Sequence, residues 1–250
     1  MIIVKNPAQL EKMKAAGRLS AQALAVGGKA VRPGVTTGEI DRIIHDFIIS
    51  QGGTPSFLNL YGFPKSACIS VNDELIHGIP GNRVIQEGDI VTIDVGACIG
   101  GYHGDNAATF AAGETSENAR RLMDATKECL RRGIAAALAG NRVGDISHAV
   151  QEYAESQGYS VVREYVGHGV GKSVHEDPEV PNFGIAGHGP RLVPGMVIAI
   201  EPMINEGKMA VKVDDNDWTV RTKDGKLSAH FENTIAITKE GPVILTDPGL

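Results

Sequence analysis

Five side chains in this sequence share a setting that invites metal chemistry. Asp94 stands inside the apolar run Ile90-Val-Thr-Ile-Asp94-Val95, and Asp105 follows the Gly100-Gly101 pair. Glu201 ends a second such run, Val197-Ile-Ala-Ile-Glu201, and Glu232 interrupts a third, His230-Phe-Glu232-Asn-Thr-Ile-Ala-Ile237. Runs of this β-branched kind read as strands. Gly100-Gly101 is a hairpin signal, and a turn centred between Ile99 and Gly100 sets Asp94 directly opposite Asp105, Cβ atoms about 4.5–5.5 Å apart. Two negative charges about 5 Å apart repel by roughly 3 kcal/mol at an effective dielectric near 20. Water, a shared proton or a cation must then lie between them; a solvated turn with its acids on the wet side is the alternative for this hairpin alone. Four acids in four strands are hard to explain without a cation, because desolvating an unpaired carboxylate costs several kcal/mol.

The fifth group is His168, held between glycines in Gly167-His168-Gly169-Val-Gly171, where backbone can approach closely. Four carboxylates and one imidazole are mostly hard oxygen donors. They suit two divalent ions such as Mn²⁺, Fe²⁺ or Co²⁺, with Zn²⁺ also accommodated. Two such ions about 3.5–4 Å apart form a hydrolytic pair that makes a bound water acidic. His45, His103, His148 and His188 are left unassigned, His103 being nearest the cluster in sequence. Gly167 to Ser173 is one residue short of a phosphate loop, and His175-Glu176 lacks the second histidine of a zinc-protease helix, since Glu179 stands there.

The elements that must position these groups occur twice. Gly38-Glu-Ile…Ser50-Gln51-Gly52 recurs as Gly144-Asp-Ile…Ser156-Gln157-Gly158, each with apolar residues at helical spacing. An earlier amphipathic helix precedes each: one from about Ala8 to Ala30, stopped by Pro33-Gly34, the other from near Ser116 as cap to about Leu138, before Gly140. The strand Gly88-Asp-Ile-Val-Thr-Ile-Asp94 matches Gly195-Met-Val-Ile-Ala-Ile-Glu201. Two halves, approximately 8–115 and 116–250, are expected to face each other around a pseudo-twofold axis within one catalytic domain, 1–250. Asp94 and Glu201 would meet at its centre.

Composition excludes little but consistently. The 250 residues are 42% hydrophobic and 22% charged, with a net charge of −6, ordinary for a globular protein. No polybasic run points to nucleic acid or an anionic membrane, and no apolar run approaches the roughly 18 residues of a spanning helix. Three cysteines without a CxxC pair fit a reducing, cytoplasmic setting.

With Pro64-Lys-Ser, Ser70-Val-Asn72, His77-Gly-Ile-Pro80, His175-Glu…Pro178 and Glu201-Pro202 added to the five donors in order, the whole chain resembles the methionine aminopeptidases. It is similar to the compact, bacterial-type form of type I: it lacks the insertion of type II and begins almost at its first helix. The resemblance implies an α/β (α+β) duplicated pita-bread fold, as in the creatinase/aminopeptidase group, with a curved antiparallel sheet and outer helices around a dimetal site. It implies that Asp94 chelates one ion, that Asp105 and Glu232 bridge both, and that His168 and Glu201 complete the other. It assigns His175 to the developing oxyanion, His77 to the amide nitrogen of the cleaved bond, and Glu201 to proton transfer. Phe57, Phe63, Cys68, His77 and Trp218 would line the methionine pocket. Leu60-Tyr61 and Val174 depart from the common pattern and bear on pocket width.

The implied substrate is a peptide or nascent-chain N-terminus with a small second residue, so this protein's own Met1, followed by bulky Ile2, is expected to be kept. A monomer is implied, with ribosome association as a further expectation and a monovalent cation near Asn72 and Ser228. The alternatives are an X-Pro aminopeptidase or prolidase-like dimetal peptidase of the same fold, and a metal-free binding module.

Overall fold

A computed structural model describes residues 1–247 of the chain. Four helices carry the outside, and their sequences explain their starts. In α1 (Pro7–Ala30), Asn6 Oδ1 accepts from Gln9 N at 3.0 Å and Gln9 Oε1 accepts from Asn6 N at 2.9 Å, a reciprocal cap with proline at the first helical position. Thr36 and Glu39 cap α2 (Thr37–Ser50) in the same way. Ser116 caps α3 (Glu117–Ala136) through Ala119 N at 3.1 Å. Asp145 accepts from Arg142 N at the start of α4 (Val143–Ser156).

The duplication is visible in three dimensions. Helices α2 and α4 are both 14 residues long, and each docks by the same contacts. Gly38 N donates to Gly81 O at 2.8 Å and Gly144 N to His188 O at 2.9 Å; Gly34 N donates to Ile85 O and Gly140 N to Leu192 O, both at 2.9 Å.

The strands, in chain order, are β1 (Thr54–Pro55), β2 (Ala67–Val71), β3 (Glu74–Ile76), β4 (Ile90–Ile99), β5 (Tyr102–Ala111), β6 (Ser160–Val161), β7 (Gly167–Gly169), β8 (Glu176–Val180), β9 (Val197–Ile200), β10 (Met203–Asn205), β11 (Val211–Val213), β12 (Val220–Thr222), β13 (Ser228–His230), β14 (Asn233–Ile237) and β15 (Pro242–Ile244). All their pairings are antiparallel. One sheet runs β1-β4-β2 with β5 on β4, and another runs β15-β14-β9-β7-β8; two small sheets, β13-β10-β6 and β11-β12-β3, complete the set. The two larger sheets join through β5 and β14: Glu232 N donates to Ala107 O at 2.9 Å, and Thr234 Oγ1 donates to Asp105 O at 2.7 Å. Helices α1 and α2 pack on β4, β5 and β2, while α3 and α4 pack on each other and on the second half's strands. Each half has its own apolar cluster, one around Ile44, Ile69 and Ile93 and one around Ile146, Ile198 and Ile235.

Two strand expectations are corrected. The β4–β5 loop is Gly100-Gly101 itself, with φ of +61° and +77°, a two-residue turn of the type only glycine enters readily. Its centre lies one position later than the sequence indicated. Asp94 therefore pairs with Ala107, and Asp105 with Gly96. The shift is two residues, so both acids stay on one face as diagonal neighbours rather than direct opposites.

The second correction concerns the runs carrying Glu201 and Glu232, each of which breaks at its carboxylate. The β9–β14 ladder ends at Ile200↔Asn233, and the β10–β13 ladder resumes at Met203↔His230 in the same register. Glu201-Pro202 and Phe231-Glu232 fill the gap, and the unchanged register sets Glu201 against Glu232. Pro202 has no N–H to give to a ladder, and its carbonyl accepts from Phe231 N at 3.3 Å.

Candidate metal centre

The five predicted donors converge on one point. Asp94, Asp105 and Glu232 offer donor atoms within 4.8 Å of one another; so do His168, Glu201 and Glu232, and so do Asp105, His168 and His175. Asp105, His168 and Glu232 each belong to two of these groups. His168 Nε2 lies 3.5 Å from Glu201 Oε1 and 3.7 Å from Asp105 Oδ2, too far for good hydrogen bonds. These spacings suit a shared ion, since donors each about 2.1 Å from one ion lie roughly 3–4 Å apart.

The polar bookkeeping fits a cation as well. Asp94 Oδ1, Asp105 Oδ1 and Glu232 Oε1 are buried without a hydrogen-bond partner, which folded proteins avoid unless something else satisfies the group. Burial pushes Asp105 up to about 7. Burial also raises Asp94, Glu201 and Glu232 well above the usual carboxylate range, reinforced by the neighbouring carboxylates. Four acids that resist ionising together are what a divalent ion relieves.

His168 sits on β7 between β8 and β9, and its flanking glycines are required there. A Cβ at Gly167 would lie 2.4 Å from Ala199 O, and one at Gly169 would lie 2.2 Å from Asp177 O. His168 Nδ1 lies 2.8 Å from Gly169 O; a carbonyl only accepts, so the proton is on Nδ1 and Nε2 presents its lone pair to the carboxylates. Burial holds this ring neutral, its pKa lowered to about 4. Beyond β7 the chain turns into β8 rather than a helix, so it forms neither decoy motif.

A cleft of about 760 Å³ opens over the cluster. His175 lies in it, its ring 4.4 Å from that of His168 and stacked on exposed Tyr61 at 5.8 Å. His77 lines it in a left-handed conformation, φ +57°, of the strained kind that clusters at functional sites. The pairing Val220↔Ile76 brings β3 beside β12, which places His77 and Trp218 in one wall with ring centroids 6.3 Å apart. Trp218 also meets Phe63 edge to face at 5.1 Å. Phe57, Phe63, Cys68 and Val174 form a buried apolar cluster, with Leu60, Ile79 and Trp218 against it. The Cys68 thiol is pushed well up by burial and then by the carboxylates, so it stays protonated. Asn72 and Ser228 are neighbours, Ser228 N donating to Asn72 O at 3.0 Å.

Of the unassigned histidines, His103 bonds Ser56 Oγ, His45 bonds Ser66 Oγ, and His188 meets Ala186 O. Sequence reasoning passed over Tyr165, whose ring meets His77 edge to face at 5.8 Å. It also passed over His230, which lies 3.7 Å from Glu201 Oε2. Neither carried a signal of its own; His230's position two residues before Glu232 in an interrupted strand was the nearest thing to one.

Fold and cluster together define a carboxylate-rich metallohydrolase centre at the seam of a duplicated α/β fold. The chain belongs to metallopeptidase family M24, whose family pattern matches residues 11–239, and has its pita-bread fold. It is 55% identical to the methionine aminopeptidase of Clostridium acetobutylicum, over 98% of this chain and 99% of that one. The crystal structure of methionine aminopeptidase from Rickettsia prowazekii superposes with a TM-score of 0.97 at 41% identity, covering 99% of this chain and 100% of that one. The Xaa-Pro dipeptidase of Bacillus anthracis reaches a TM-score of 0.80 at 25% identity, over 98% of this chain but 62% of its own.

Proposed function

We propose that this protein removes the N-terminal methionine from peptides and nascent chains whose second residue is small, using two divalent ions. The convergence of Asp94, Asp105, His168, Glu201 and Glu232 carries this assignment, and near full-length similarity to methionine aminopeptidases supports the substrate. These five residues hold the ions, and the nearness of Asp105 and Glu232 to Asp94 on one side and to His168 on the other supports placing them between the two. Donors from both halves meet at one point, which supports one catalytic domain.

Bound ions of this kind supply an acidic water and positive charge beside the scissile carbonyl. Glu201 takes the proton of the attacking water and passes it to the leaving amine. His175, beside His168 at the cleft, donates a hydrogen bond to the oxygen that gains charge. His77 positions the amide nitrogen of the cleaved bond. Phe57, Phe63, Cys68 and Trp218, with His77, form the apolar slot that takes the methionine side chain. Mn²⁺, Fe²⁺ and Co²⁺ suit the oxygen-rich donors best. The free thiols of Cys68, Cys98 and Cys129 support a reducing cytoplasm, where the protein acts as a monomer on chains emerging from the ribosome.

Hydrolysis of Met-Ala-Ser and Ala-Pro-Phe, each with Mn²⁺ and with chelator, tests the proposal. Metal-dependent cleavage of the first is expected; preference for the second would move the protein to the proline peptidases of the same fold.

A further inference from the structure

His230 takes no part in the chemistry above, yet its placement asks for a role. It is 1% exposed on β13, and neither ring nitrogen has a hydrogen-bond partner. A buried N–H left unmade costs about 1–3 kcal/mol, a cost that a leucine or methionine there would not carry. The backbone holds the ring in place: His230 N donates to Thr109 Oγ1 at 3.1 Å, and Thr109 Oγ1 lies 2.9 Å from His230 O. Facing its ring is Glu201, with Oε2 3.7 Å from Nε2.

Two imidazoles therefore flank one carboxylate, with opposite chemistry. On the Oε1 side, His168 has its proton on Nδ1 and turns a lone pair toward the oxygen, a contact that becomes favourable with a cation between them. On the Oε2 side, His230 Nδ1 has no carbonyl to bond, so the proton can occupy Nε2 and point at the carboxylate.

We propose that His230 is a positioning residue for Glu201: its Nε2–H donates to Oε2 and fixes the carboxylate with Oε1 toward the metal pair. The 3.7 Å separation shortens by roughly 0.5–1 Å when the ions bind, reaching the ordinary range for such a bond. This rests on Glu201 being a metal ligand, and adds the outer partner that ligating carboxylates need for full affinity.

The test is calorimetric titration of metal-stripped protein with Mn²⁺, alongside the thermal midpoint of each metal-free variant. His230→Leu and His230→Met, either of which serves if the other does not fold, are expected to weaken one of the two Mn²⁺ binding events roughly 10–100-fold. Their metal-free midpoints should be no lower than the parent's, because a buried unpaired N–H is gone. His230→Gln, which can still donate toward Oε2, should bind Mn²⁺ within about threefold of the parent. Unchanged affinity in the Leu and Met variants overturns the role, and so does a Gln variant as weak as they are. Glu201→Ala separates the two levels: if it binds both ions like the parent, the ligand assignment itself falls.

Discussion

The buried carboxylates make the metal-free protein's stability depend on pH in a direction ordinary proteins do not show. Asp105 is moved by burial from its usual 3.8 up to about 7, and Asp94, Glu201 and Glu232 are raised well above the usual carboxylate range by burial and mutual repulsion. An acid whose folded pKa is raised keeps a proton that the unfolded chain has already lost. Stability then falls as pH rises, by about 1.4 kcal/mol per pH unit for each extra proton held. The buried histidines act oppositely at lower pH. His168 and His77 are lowered to about 4 and His230 to about 3, all chiefly by burial. They raise stability with pH until the unfolded chain's histidines, half neutral at about 6.5, are almost fully so at about pH 7.5. Above about 8 the raised thiols of Cys68 and Cys129 begin to contribute.

The carboxylates therefore dominate between pH of about 7.5 and 8.5. One extra proton held across that window costs roughly 1.4 kcal/mol, or a fall of roughly 3–6 °C in thermal midpoint for a chain of this size. Melting curves of chelator-treated protein across the window measure it directly, and the same curves with Mn²⁺ should be higher and flat, since bound ions replace the protons. Titration with Mn²⁺ at pH 7 in two buffers of different ionisation enthalpy should show at least one proton released per protein. A metal-free midpoint that stays level or rises from pH of about 7.5 to 8.5, or metal binding without proton release, would refute the account of the cluster.

Three substitutions separate the roles. Asp105→Ala should abolish paired metal binding and activity together, whereas His175→Ala should leave Mn²⁺ titrations unchanged and lower kcat by roughly 10²–10³, as for one oxyanion donor. Trp218→Ala, which removes the edge contacts to Phe63 and His77, should lower kcat/KM on Met-Ala-Ser by roughly tenfold or more (about 1.4 kcal/mol) with metal affinity intact. Lys5 Nζ meets Glu176 Oε2 at 2.7 Å with side chains 2% and 7% exposed, so Lys5→Met should cost about 3–5 kcal/mol in chemical denaturation, with Lys5→Met/Glu176→Gln recovering part of it.

What the sequence made legible was local. Ser116 announced its helix because a cap is a contact over three residues, and Gly100-Gly101 announced a hairpin because few residues tolerate that turn. The acids of β4 and β5 were assigned to the correct face because faces alternate every two residues, although the exact pairing slipped by that amount. The interruptions at Glu201 and Glu232 were hidden, since Ile200 and Asn233 read as strand whether or not the ladder continues past them. His230 was hidden for a related reason: its meaning comes from Glu201, which reaches it only because two ladders stop in register.

That interruption also explains how a duplicated chain makes an asymmetric site. The first half delivers two acids from an unbroken hairpin, as diagonal neighbours whose backbone bonds remain made on both sides. The second half delivers its two acids from a gap, where the ladder gives up bonds worth about 0.5–1.5 kcal/mol each. In return, Glu201 and Glu232 leave the alternation that would fix them to opposite or same faces of a regular sheet, and both turn to the seam where Glu232 N already bonds Ala107 O. His168 comes from the second half alone, on β7, whereas β2, the strand paired on β4 in the first half, sets Cys68 opposite Asp94. One side of the cluster is thus all oxygen and the other includes nitrogen, a chemical inequality that follows from the residues the matching strands carry rather than from any difference in overall topology.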